Sequence, residues 1–105
     1  MNGRFLNIIN SEKPVLVDFY AEWCGPCKLM PSILKEVKSE LKENVRIIKV
    51  DVDKNPIIAT HYQIRSVPTI MVFKNGEPRW TGVGLQQAHE LKTVLNLHIN
   101  RLSNS

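Results

Sequence analysis

The segment Val15-Leu16-Val17-Asp18-Phe19-Tyr20-Ala21-Glu22-Trp23-Cys24-Gly25-Pro26-Cys27-Lys28 decides how the chain must be folded. Its first six residues are β-branched, aromatic and almost continuously apolar, the signature of a strand covered on both faces. Its end holds the only two cysteines of the 105-residue chain, two residues apart. Immediately beyond, Met30, Ile33, Leu34, Val37 and Leu41 recur at helical spacing, with lysines and glutamates between them. A buried strand therefore runs through a cysteine pair into an amphipathic helix. Pro31 stands inside that pattern and is expected to bend the helix, because it removes a backbone donor and crowds the preceding turn.

Outward from this unit the chain alternates strands and helices. Upstream, Phe5, Leu6, Ile8 and Ile9 read as a short helix that Asn10-Ser11 and Pro14 bring to an end. Downstream, residues 45–52 read as a second strand, followed by a helix from Asn55-Pro56 through Tyr62. Thr69 to Phe73 is a third strand. Asn75-Gly76 is a strong hairpin signal, with a return strand from Arg79 to Gly82, and Pro78 suits an edge position. Ala88, Leu91, Leu95, Ile99 and Leu102 mark a C-terminal helix, with Val94 widening its stripe, and Ser103 to Ser105 read as a fraying tail. The expectation is one α/β domain spanning residues 1–105, a three-layer sandwich with a mixed central sheet flanked by helices.

Composition excludes several classes. The formal charge of +4 comes from bases scattered between Arg4 and Arg101 and interleaved with acids, which describes a solvated surface and not a nucleic-acid footprint. No apolar run is long enough to span a bilayer, and the N-terminus lacks the hydrophobic block of a secretory signal. The expected location is the cytoplasm.

Cysteines two residues apart support several chemistries. Structural zinc needs two further ligands, yet no other cysteine exists and His61, His89 and His98 lack the paired spacing. Haem attachment requires histidine after the second cysteine, where Lys28 stands. A purely structural crosslink over so short a loop restricts the unfolded chain little. Redox chemistry remains, and position assigns the roles. Cys24, at the strand-to-helix junction, is expected to be exposed and held toward thiolate by the free N–H groups and positive end of the helix. It is the nucleophile that forms a mixed disulfide. Cys27, one turn along and pointing inward, resolves it and leaves a 24–27 disulfide. Gly25 permits a tight approach, and Pro26 forfeits a donor that is unpaired in a first turn anyway.

Asp18 is an acid inside a buried strand, so its pKa is expected to be raised, with Lys49 on the neighbouring strand as its partner. It reads either as the proton relay for Cys27 or as a tolerated polar pair of the core. Val67-Pro68 precedes the third strand at the end of the sheet where crevices form, and the spacing fits either a cis or a trans peptide bond there.

These motifs together resemble the thioredoxin family over about Phe5 to Leu95: Val17-Asp18-Phe19, Ala21 through Lys28, Lys49 through Asp53, Arg65-Ser66-Val67-Pro68-Thr69 and Phe73-Lys74-Asn75-Gly76. The resemblance implies a monomeric general protein-disulfide reductase with no bound cofactor. Electrons would come from NADPH through a flavoprotein thioredoxin reductase and pass to disulfide-containing client proteins. It implies that Asp18 and Lys49 form the buried relay pair, that Pro68 is cis, and that Trp23, Gly25, Pro26, Val67, Pro68, Val83 and Gly84 form an apolar substrate face. Alternatives on the same scaffold are a redox-gated binding module and a thiol oxidase or isomerase.

Three positions depart from the family pattern. Members normally begin with an extra strand, whereas only Met1 to Arg4 precede Phe5, so four strands are expected and the strand around Ile47 becomes an open edge. The helix-bending proline is Pro31, one residue before its usual place at Ser32. Tyr20 stands where many members carry tryptophan.

Overall fold

The computed structural model describes residues 3–99. Helix α1 spans Gly3–Ile9, strand β1 Val15–Tyr20, helix α2 Met30–Leu41, β2 Arg46–Asp51, α3 Pro56–His61, β3 Thr69–Lys74, β4 Glu77–Val83 and α4 Ala88–His98. The described strands form one four-stranded sheet of order β2-β1-β3-β4, as expected. β1 runs parallel to β2 and antiparallel to β3, and β3 is antiparallel to β4, so the sheet is mixed.

The period-two alternation of β1 builds both cores. Val15, Val17 and Phe19 face one way and join Phe5, Ile9, Val50, Ile58, Met71 and Phe73, the layer carrying α1 and α3. Leu16 faces the other way and joins Met30, Leu34, Val37, Leu41, Ile70, Val72, Leu91 and Leu95, the layer made by α2 and α4. Asp18 shares the face of Leu16. The continuous apolar run was the correct sign of a strand covered twice.

The second strand occupies Arg46–Asp51 and not residues 45–52: pairing with β1 runs from Val15↔Arg46 to Tyr20↔Asp51, which leaves Val45, extended and buried, and Val52 just outside the ladder. Pro31 does not bend a continuing α-helix. A 3-10 turn, Pro26–Leu29, carries the chain out of the cysteine motif, and the α-helix proper starts at Met30, which puts Pro31 in a first turn where the missing donor costs nothing. α4 ends at His98, with Ile99 already extended. The predicted contribution of Leu102 and the fraying of Ser103 to Ser105 lie outside the described residues. The hairpin turn has Asn75 at φ 53° and Gly76 at φ 82°, the two left-handed residues that a tight β-hairpin requires. Pro78 sits on the outermost strand, beside a register shift in the β3–β4 ladder.

Candidate active site

Cys24 and Cys27 are joined as a disulfide, with Cα atoms 5.4 Å apart. Because the chain turns sharply from β1 into the 3-10 turn, the Cys27 N–H points back and donates to Cys24 Sγ at 3.2 Å. This is the expected helix-start geometry, in which a backbone donor faces the sulfur of the first cysteine. The expected exposure of Cys24 is corrected: it is 3% exposed and Cys27 5%, so surface area does not distinguish them in the oxidised state. Packing does. Cys24 Sγ lies 3.6 Å from the Val67 carbonyl oxygen, to which a reduced thiol would donate. Cys27 instead lines a cleft of about 180 Å³ with Tyr20, Ala21, Pro31 and Lys49, behind the disulfide.

Three segments converge around the pair. The Val67–Pro68 peptide bond is cis. Pro68 offers its carbonyl to the N–H of Gly84 at 2.8 Å, which fastens the end of β4 to the proline loop. Gly84 adopts φ 90°, open only to glycine without strain, and Gln86 Nε2 donates to the carbonyls of Val83 and Gly84. Of the seven residues assigned to the substrate face, Trp23, Gly25, Pro26 and Val83 are exposed, Val67 and Gly84 are half-buried, and Pro68 is buried behind them. Trp23 is 71% exposed and Val83 68%, large apolar areas for a soluble surface. The Trp23 indole N–H donates to Asp53 Oδ2 at 2.9 Å, which fixes its ring.

Asp18 is fully buried, and neither carboxylate oxygen has a hydrogen-bond partner. Its pKa is pushed up from 3.8 to about 6, chiefly because burial penalises the charged form, with the Lys49 charge pulling the other way. Lys49 is directly opposite Asp18 in the β1–β2 register. It does not close an ion pair: its ammonium sits 4.4 Å from the centre of the Tyr20 ring. Tyr20 thus takes the Lys49 ammonium on its ring face, a contact that the strand pattern did not reveal. Asp53 and Gln86 were missed as well. Asp53 lies thirty residues from Trp23, and nothing in local spacing signals a contact across that gap.

Among the described residues no group of three His, Cys, Asp or Glu side chains clusters as a metal site, and no helix is long and apolar enough to cross a membrane.

A reversible disulfide at a helix start, flanked by a cis-proline loop and backed by a buried acid, defines a thiol–disulfide oxidoreductase. The family model for thioredoxin matches residues 2–97, and the chain belongs to the thioredoxin family. It is 51% identical over 92 residues to a thioredoxin of Rickettsia felis, covering 88% of each chain. It is 49% identical over 92 residues to a thioredoxin-like protein of Synechocystis, again covering 88% of each. Among solved structures, a mutant thioredoxin from Halobacterium salinarum superimposes with a TM-score of 0.83 at 32% identity, covering 97% of this chain and 89% of that one. Mitochondrial thioredoxin 3 of Saccharomyces cerevisiae, in its oxidised form, gives 0.79 at 32% identity, covering 89% and 87%.

Proposed function

We propose that the protein is a general reductant of protein disulfides in the cytoplasm, acting as a monomer and an electron carrier. The observation that carries this reading is the Cys27 N–H directed at Cys24 Sγ at the start of a helix, an environment that favours thiolate at position 24. In the reduced protein, Cys24 thiolate attacks one sulfur of a client disulfide and expels the other as thiolate. Cys27 then loses its proton and attacks Cys24 Sγ, expelling the second client thiolate. Two electrons pass to the client, and the 24–27 disulfide is formed.

Asp18 is the proton acceptor for Cys27 in this scheme. A carboxyl with a pKa of about 6 and no competing hydrogen bond can take a proton near neutral pH, and Lys49 sets how readily it does so. The face formed by Trp23, Gly25, Pro26, Val67 and Val83, with Pro68 and Gly84 behind it, holds the client backbone against the disulfide. No bound cofactor takes part. Re-reduction comes from a thioredoxin reductase drawing on NADPH.

Insulin reduction by the wild type, with Cys27→Ser alongside, tests the scheme. Turnover by the wild type, and a trapped Cys24–client mixed disulfide in the variant, are expected. A wild type that fails to turn over with any reductant would make the disulfide a gate on a binding surface. A potential tens of millivolts less negative than that of a reductase would make the protein an oxidase or isomerase, each 30 mV being about 1.4 kcal/mol.

A further inference from the structure

We propose, resting on the client face assigned above, that Gln86 is a positioning residue for polypeptide clients: its side-chain amide holds the Val83–Gly84 turn as a preformed wall beside the disulfide. A run of contacts connects this turn to the reacting sulfur. Cys24 Sγ lies 3.6 Å from the Val67 carbonyl oxygen, the cis bond leads on to Pro68, and Pro68 O accepts from the Gly84 N–H at 2.8 Å. Val83 pairs with Thr69, the residue after Pro68, so its exposed side chain stands at the end of β4 next to the proline loop. The turn itself is poorly suited to hold a shape. The β3–β4 ladder ends at Val83, and Gly84 beyond it belongs to the residue type with the most conformational freedom to lose.

Gln86 supplies what the ladder does not. Its Nε2 donates to the carbonyls of Val83 at 3.3 Å and Gly84 at 3.1 Å, one amide hydrogen for each. The amide also has a built seat. A β-carbon placed on Gly82 would fall 2.7 Å from Gln86 Cδ and would collide with the Trp80 ring as well. Gly82 is buried and is not among the residues of positive φ, so the space, not the backbone, calls for glycine there. Trp80 in turn packs against the core of α2 and α4, which ties the seat to the body of the fold. A wall fixed before the client arrives spares the ordering cost that a loose glycine turn would take from the binding free energy. A polypeptide that spans the wall gains by this, while the exchange of sulfur bonds at Cys24 and Cys27 does not involve Gln86.

The test is an equilibrium at Cys24 in the full-length Cys27→Ser background, where a mixed disulfide persists. Glutathione held through Cys24 exchanges with the thiol of an apolar decapeptide, so that reduced glutathione leaves and the peptide takes its place. One disulfide breaks and one forms, and no other oxidant or reductant enters. Both adducts share one folded protein, so a mere loss of global stability cancels. At about pH 7, Gln86→Glu keeps the shape without the donor, and Gln86→Leu keeps only the bulk. Each should shift the equilibrium toward glutathione by about fivefold, the equivalent of about 1 kcal/mol. Gly82→Ala, which displaces the amide from its seat, should shift it the same way, and if any of the three does not fold, the others decide. The Gly84 amide should lose protection from hydrogen exchange in all three. Near about pH 3.5 the introduced carboxyl is largely protonated and can donate again, so Gln86→Glu alone should recover that protection. An unchanged equilibrium, unchanged Gly84 protection, or no recovery at low pH overturns the role of Gln86. A wild type that holds the peptide no better than glutathione overturns the client face itself, whereas a preference that survives the substitutions overturns Gln86 alone.

Discussion

The two faces of β1 are equally dry and do different work. Val15, Val17 and Phe19 on one face, and Leu16 and Asp18 on the other, are all fully buried. The first face is entirely apolar, and its contribution is the transfer of hydrocarbon out of water. The second carries a carboxyl whose oxygens find no donor, an arrangement that opposes folding whenever the group is charged. Alternation with a period of two places the stabilising and the destabilising residues side by side in sequence but on opposite sides of the sheet. Stability can therefore be perturbed at Phe19 without touching the chemistry of its neighbour Asp18.

The largest effect should come from the apolar face. Phe19→Ala is expected to cost about 3–5 kcal/mol in urea unfolding of the oxidised protein, the usual range for emptying a buried aromatic site. The rate of insulin reduction per folded molecule should be unchanged. A slowed exchange step in folded Phe19→Ala would break the separation of the two faces.

Asp18→Asn acts in the opposite sense. The folded-state pKa of Asp18 is raised from 3.8 to about 6, so its ionisation carries no penalty below pH 3.8, a growing one as pH rises toward 6, and a constant one above. At 1.36 kcal/mol per tenfold change in proton affinity, the full penalty is roughly 3 kcal/mol. Relative to wild type, Asp18→Asn should gain stability by up to that amount between pH 4 and pH 8, measured as the difference in urea midpoints. The same substitution should slow release from the mixed disulfide more than the initial attack. A stability difference independent of pH, or equal slowing of both steps, would show that Asp18 is a neutral filler.

What could be read from residues alone follows the same division. Elements whose identity is local were legible: the doubly covered strand at Val15–Tyr20, the left-handed pair Asn75-Gly76, the apolar stripe of α2, and an Ile47 strand left at the edge. Asp18 stood out because an acid inside an apolar run conflicts with its surroundings whatever the tertiary partners are. Features set by distant elements were not legible. Cys24 is covered by the Val67 carbonyl and by its own turn, which no spacing within the motif reports. Pro31 looked like a bend because the switch from 3-10 to α geometry is invisible in a pattern of apolar positions. Lys49 was correctly placed opposite Asp18 by strand pairing, but the direction of a four-carbon side chain depends on which neighbour attracts its head more.

The smallest expected effect isolates that choice. Lys49 sits between the two features on this side of β1, opposite Asp18 in register and above the Tyr20 ring. Its charge lowers the Asp18 pKa against the larger effect of burial, so Lys49→Met should raise that pKa above about 6, read from the Asp18 carboxyl carbon shift in an NMR titration. Tyr20→Leu should do the reverse. Losing the ring forfeits about 0.5–1 kcal/mol of cation–π attraction and releases the ammonium toward the unpaired carboxylate, pulling the Asp18 pKa down. Opposite movements in the two variants would establish Tyr20 as the group that keeps Lys49 from closing an ion pair, and so keeps Asp18 able to accept a proton near neutral pH. Movement in the same direction would mean that the ring acts only through burial, leaving the raised pKa to the packing of the sheet face alone.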